Sequence, residues 1–281
     1  MILDNGIIRA EIDLHGAELK SVVKNGREYM WCGDAKYWGR TSPVLFPFVG
    51  GLNGKTYRTG GREYTMGQHG FARDLDFELV ANEDNTAVFA LKSNDETLKK
   101  YPFEFTLLIA YTLDEDKITV EWTVVNDNEF DMPFSIGAHP AFNLSDGVNY
   151  FKFDNGEDIT YRLIDENGLL VPDKQYTLKN DGCVEITSEM FDNDALIIEN
   201  NQATSVLLCD SSKEPYVEVN FTAPLFGLWS PAGKNAPFVC IEPWYGRCDR
   251  NDFSGDLSER EYGNIIAPET AFTASYEMTF I

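Results

Sequence analysis

Histidine is scarce in this chain, three in 281 residues, and two of the three stand where they could do chemistry. Ser135-Ile136-Gly137-Ala138-His139-Pro140-Ala141-Phe142 reads as a strand that ends at an imidazole. Proline cannot donate a ladder hydrogen bond, so it should stop the strand and leave His139 at a rim, with Phe142 as an aromatic wall. Ile241-Glu242-Pro243-Trp244 follows the same plan with a carboxylate: an apolar strand, an ionisable residue, proline, then an aromatic. Aromatic neighbours could lift the Glu242 pKa into the range of a general base, although a glutamate at a strand end is usually just solvated. A histidine, a carboxylate and flat aromatic faces together suit a sugar, whose C–H faces pack on rings while its hydroxyls take hydrogen bonds.

Three further stretches carry candidates. In Gln68-His69-Gly70-Phe71-Ala72-Arg73-Asp74 the glycine lets backbone pass close to a ligand beside His69, with Arg73 four residues on. The plain alternative is a turn whose histidine caps local carbonyls. Arg40 lies in a turn between aromatics and a proline-bounded apolar run, and is either a surface arginine or a fork donor to hydroxyls or an anion. Asp194 precedes the apolar Ala195-Leu196-Ile197-Ile198, where acidic turn residues are common for purely local reasons. His15 is expected to belong to a turn without a chemical role. A metal site built from His69, His139 and Glu242 is possible by ligand type, but no local ligand spacing supports it, so no metal is expected.

The elements that must hold these groups are strands. Period-two alternation runs through Ile8 to Leu14, Phe103 to Leu113, Ile118 to Asn126 and Ala271 to Phe280, with Asn25-Gly26 and Gly60-Gly61 marking hairpins. Only Asn94 to Lys100 looks helical, for barely two turns. The expected fold class is therefore all-β, a sandwich or barrel of antiparallel sheets, with residues 1–281 forming a single domain. Arg247 to Glu261 is the one long polar stretch and is expected to be a surface loop.

Composition narrows the partners. A formal net charge of -23 argues against nucleic acid and anionic membranes, both of which need clustered Lys and Arg. The start lacks the features of a secretory signal, and no apolar run is long enough to span a bilayer as a helix. Five scattered cysteines without C-x-x-C spacing fit reduced thiols, so a cytoplasmic protein is expected; it is expected to be a monomer or homodimer.

His69-Gly70-Phe71-Ala72-Arg73, Gly137-Ala138-His139-Pro140-Ala141-Phe142 and Ile241-Glu242-Pro243-Trp244, in that order, resemble the signatures of the aldose 1-epimerases, or galactose mutarotase-like proteins. The likeness runs nearly end to end. It implies a β-supersandwich with an open cleft and no required cofactor. It further implies His139 as general acid at the sugar ring oxygen and Glu242 as base for the anomeric hydroxyl. His69 would bind or polarise the sugar, and Asp194 would hold a ring hydroxyl. For such proton shuttling the expected state is an ionised carboxylate beside a protonated imidazole. The sequence around Arg40 departs from the longer arginine-rich signature of the galactose enzymes and is closer to the sugar-phosphate or an uncharacterised bacterial branch. That leaves a hexose 6-phosphate, with Arg40 and Arg73 on the phosphate, as an alternative substrate. A carbohydrate-binding or sensing protein without turnover is a second alternative. A glycosidase or lyase on a related β framework is a third, though a glycosidase would usually need two facing carboxylates.

Overall fold

The computed structural model describes all 281 residues. Its largest element is a nine-stranded antiparallel sheet, in the order Val184–Glu185, Tyr150–Phe153, Ser205–Cys209, Pro215–Phe221, Ala271–Phe280, Lys117–Asn126, Phe105–Asp114, Thr86–Lys92 and Glu78–Glu83. Its centre is made by the three strands whose alternation is clearest in the sequence. Ile118, Val120, Trp122 and Val124 point inward along Lys117–Asn126, and polar residues alternate with them.

A second sheet of five strands packs over that face. Phe238–Tyr245 runs through it between Leu225–Trp229 on one side and two short strands, Ile136–Gly137 and Ala141–Asn143, on the other; Leu196–Ile198 closes the far edge. A four-stranded sheet spans Ile2 to Glu28. One continuous cluster of 62 buried apolar residues joins all three sheets. The only α-helix is Asp95–Lys100, opened by an Asn94 capping box. No helix is long and apolar enough to cross a membrane.

The expected all-β class holds. One consequence of the layering matters for the site. Along Phe238–Tyr245 nearly every residue is buried, because both faces are covered. Val239 and Ile241 enter the main core, while Phe238, Cys240 and Trp244 join smaller clusters on the opposite face. By the period of two, Glu242 shares that second face.

Two local expectations are corrected. Pro243 does not stop its strand, which continues to Tyr245. Opposite Pro243 the partner strand is interrupted between Gly137 and Ala141, so a residue without an amide hydrogen is tolerated there. The surface loop expected over Arg247 to Glu261 is exposed at Asn251, Asp252, Ser254, Ser258, Glu259 and Glu261, but it also carries charges inward. Arg247, Asp249 and Arg260 are buried. Arg260 Nε donates to Asp249 Oδ1 at 2.7 Å, its Nη2 donates to the Arg247 carbonyl at 2.7 Å, and its guanidinium lies 5.0 Å from the Phe48 ring centre. Charges along a chain do not reveal whether they meet one another inside.

Candidate active site

His139 lies in the interruption between the two short strands, and the backbone on both sides of it is pinned. The Ala138 amide donates to the Pro243 carbonyl at 3.0 Å, and the Ala141 amide donates to the Thr41 carbonyl at 2.9 Å. The imidazole is stacked on Trp38, with centroids 4.7 Å apart and planes at 26°, and meets the edge of Trp229 at 5.3 Å. Glu242 projects beside it. His139 Nε2 and Glu242 Oε2 are 3.4 Å apart, and the two residues are only 7% and 1% exposed. The pair therefore sits on the floor of a cavity, not at the expected rim.

That cavity has a volume of about 290 Å³. Ligand pockets generally span about 300–1,000 Å³, so this one suits a monosaccharide better than a longer chain. Of the residues expected to line it, His69, Arg40, Arg73, Asp194 and Trp244 all do, together with the His139–Glu242 pair. Phe142 does not. It is fully buried in the main core and is paired with Val239, which faces the same way. The aromatic wall is made instead by Trp38 and Trp229. Trp38 had a signal in the sequence, two residues before Arg40; Trp229 had none. Gln68 also reaches the cavity and was legible only as the neighbour of His69.

His69 is held by one residue from both ends. Its amide donates to the Gly50 carbonyl at 3.0 Å, and its Nδ1 accepts from the Gly50 amide at 3.1 Å. With Nδ1 accepting, the proton of the neutral ring is on Nε2, which makes His69 a hydrogen-bond donor. The next residue must be glycine. Gly70 has φ +70°, and a Cβ there would come 2.3 Å from the Phe46 carbonyl oxygen.

Arg40 and Arg73 lie together at the cavity. Arg40 Nη2 bonds Asp74 Oδ1 at 2.6 Å, and Arg73 Nη2 donates to the Gln68 carbonyl at 2.8 Å, leaving Arg73 Nε buried without a partner. Burial, followed by the Arg40 charge, lowers the Arg73 pKa to about 10. The turn after Arg40 is fixed by buried Glu18, whose Oε1 accepts from the Thr41 and Ser42 amides at 2.6 and 2.9 Å. Asp194 is exposed and has φ +70°, and its Oδ1 accepts from the Ala195 amide at 2.7 Å.

Trp244 depends on an absent side chain. A Cβ on Gly227 would lie 2.4 Å from Trp244 Cη2 and 2.5 Å from Cζ2. Gly227→Ala should therefore push the indole towards the cavity, raise KM several-fold and cost about 1–3 kcal/mol by overpacking. Urea unfolding and a substrate titration would measure both; unchanged KM and stability would show that the indole relocates freely.

The electrostatics invert the expected charge state. Burial first, then the Arg73 charge and, more weakly, Arg40 lower the His139 pKa to about 3, against an opposing backbone hydrogen bond. His69 is pushed down by burial, Arg73, His139 and Arg40. Glu242 moves the other way, raised well above the ordinary carboxylate value by burial and then by the Asp194 charge. Both shifts disfavour the charged forms, so burial biases the pair towards a neutral imidazole beside a carboxylic acid. His139 Nδ1, both Glu242 oxygens and Trp244 Nε1 are buried with no hydrogen-bond partner. Buried polar atoms are usually satisfied, and such a group in one cavity is poised to be satisfied by a polar ligand.

An antiparallel β fold encloses one small cavity lined by three indoles, two histidines and a buried carboxyl. The aldose 1-epimerase family profile matches residues 1–249. The chain belongs to the aldose 1-epimerase family and is an isomerase of the mutarotase type. It is 31% identical over 295 aligned positions to the chromosomal LacX protein of Lactococcus lactis subsp. lactis, covering 99% of this chain and 98% of that one. It superposes on the crystal structure of a galactose mutarotase related enzyme from Lactobacillus acidophilus with a TM-score of 0.94 at 34% identity, covering 100% of this chain and 97% of that one. A galactose mutarotase-like protein from Lactobacillus casei gives 0.91 at 30% identity, covering 100% and 99%.

Proposed function

We propose that the protein interconverts the α and β anomers of an aldohexose, with His139 and Glu242 as the proton carriers. The observation that carries this reading is the buried pair at 3.4 Å, whose remaining polar atoms have no protein partners. Mutarotation removes a proton from the C1 hydroxyl and delivers one to the ring oxygen. The C1–O bond of the ring breaks, the aldehyde forms, the C1–C2 bond rotates and the steps reverse on the other face. Atoms balance without any co-reactant: one group gives a proton, the other takes one, and closure restores both.

A pair holding one proton meets this need. Sugar hydroxyls donating to the Glu242 oxygens stabilise its carboxylate form. That moves the shared proton towards His139, and the complex then has an imidazolium acid for the ring oxygen and a carboxylate base for the anomeric hydroxyl. His69, with its proton on Nε2, donates to a sugar oxygen. Asp194 accepts from a ring hydroxyl at the cavity mouth, and Trp38, Trp229 and Trp244 cover the ring's C–H faces. Positioning inside the cavity supplies the remaining acceleration.

A second reading concerns the substrate and not the reaction. Arg40 and Arg73 bring two guanidinium groups to one side of the cavity, and Arg73 Nε has no partner. A phosphate on C6 would be held there by charge-assisted bonds. Polarimetry of freshly dissolved α-glucose and α-galactose beside their 6-phosphates tests both readings. The aldose reading expects faster relaxation of at least one unphosphorylated sugar. Acceleration of a 6-phosphate alone transfers the function to the phosphosugar, and acceleration of none removes the reaction.

A further inference from the structure

Cys240 has no part in the proton shuttle. It does not line the cavity, and it is buried in a small cluster with Trp31, Ala141, Ala236 and Phe238. Yet it stands two residues before Glu242 on the same face of the strand. Its Sγ, one His139 ring nitrogen and one Glu242 oxygen all lie within 4.8 Å of one another, and all three residues are buried. His139 Nδ1 and both Glu242 oxygens have no hydrogen-bond partner. A thiol, an imidazole and a carboxyl converging in one buried place, with unpartnered donor atoms, is a metal-ligand arrangement that acid–base mutarotation does not require.

The geometry points to a zinc site formed by His139, Cys240 and Glu242, at which Zn²⁺ inhibits turnover by occupying both proton carriers. The donor set selects the metal. Sulfur, nitrogen and a single carboxylate suit Zn²⁺ and offer too few oxygens for Ca²⁺ or Mg²⁺. Tetrahedral zinc holds its ligand atoms about 3–4 Å apart, given bonds of about 2.0–2.3 Å. The His139–Glu242 contact of 3.4 Å is already in that range. The distances from the sulfur to the other two ligand atoms are no more than 4.8 Å, so closing to that range needs only a small side-chain adjustment. On binding, the thiol and the carboxyl release their protons to solvent, and thiolate plus carboxylate balance the two positive charges of the metal. The resulting neutral site tolerates burial and the nearby Arg40 and Arg73 charges better than a bare cation could. The fourth position opens to the cavity. The inhibitory consequence rests on His139 and Glu242 being the proton carriers; metal binding itself does not.

Co²⁺ added to metal-free, untagged protein tests the site by its thiolate-to-cobalt charge-transfer absorption. The expected result is one equivalent bound with that band in the wild type, and no band in Cys240→Ser or Cys240→Ala. His139→Asn, which keeps the test decisive if the cysteine variants fold poorly, should weaken binding at least about tenfold. In the anomer-relaxation assay, Zn²⁺ should slow the wild type at least about tenfold, reversibly with chelator, while Cys240→Ser keeps the wild-type rate in the presence and absence of zinc. No thiolate band in the wild type, or a band that persists without Cys240, overturns the site. A band without loss of rate overturns the inhibition. If no sugar is turned over at all, the band still decides the metal site, and only the mutarotase reading falls.

Discussion

Glu242→Gln should lose about 10²–10⁴-fold in mutarotation rate while unfolding at a higher temperature than the wild type near neutral pH. The loss follows because an amide cannot exchange a proton with the anomeric hydroxyl, and His139→Asn should fall by a similar factor for the same reason. The gain in stability follows from the charge state. The Glu242 carboxyl is raised above its ordinary value of 4.5 by burial and by Asp194. Below about pH 4.5 both folded and unfolded chains hold that proton, and the group costs nothing. As pH rises, the unfolded chain ionises first, so folded stability declines until the folded group also ionises. Glutamine removes that decline. The Tm advantage of Glu242→Gln should thus be absent in mild acid and grow as pH rises towards neutrality. His139 acts on the acid side. Its pKa is lowered from 6.5 to about 3, so its contribution is lost as pH falls through that window and leaves the neutral comparison untouched. A rate within tenfold of the wild type in both variants would show that the proton carriers lie elsewhere.

Arg260→Ala should cost about 3–5 kcal/mol, the usual consequence of removing one partner from a buried ion pair. Arg260 and Asp249 are both nearly inaccessible, and Asp249 Oδ2 also accepts from the Asn53 amide at 3.0 Å. Truncating Arg260 strands the Asp249 charge, frees the Arg247 carbonyl and removes the cation from the face of Phe48. At about 2–4 °C per kcal/mol, Tm should fall by about 6–20 °C. Replacing both partners with apolar residues of similar volume should recover much of the loss, because no charge is then left buried alone. The consequence reaches the site, because Cys248, beside Asp249, lines the cavity. Calorimetry of the single and double variants measures this; a single-variant loss under about 1 kcal/mol would mean that the pair is solvated after all.

What the sequence made legible divides along physical lines. Strands with one face in the core announced themselves by alternation, as in Lys117–Asn126 and Ala271–Phe280. Leu225–Trp229 did not. It is covered on both faces and interrupted by Gly227, so it lacks any period to read, and Trp229 was missed with it. The His139 and Glu242 motifs were visible as local designs, and their partnership came from resemblance before the 3.4 Å contact placed them together. Phe142 was misjudged because adjacency in a motif says nothing about which face a short strand presents. Burial and neighbouring charge set protonation, so the inverted state of the pair could not be read from residue types. Cys240 was legible only as one more unpaired cysteine until the pleat brought it beside Glu242.

Magnetisation exchange between the α and β anomeric protons of an equilibrated aldose tests the central claim most directly, because it reads interconversion itself with no net reaction. Cross-peaks between the two anomers are expected at protein concentrations where buffer alone gives none, with their loss in Glu242→Gln. Equally strong cross-peaks in that variant, or none with any of glucose, galactose and their 6-phosphates in the wild type, would contradict it.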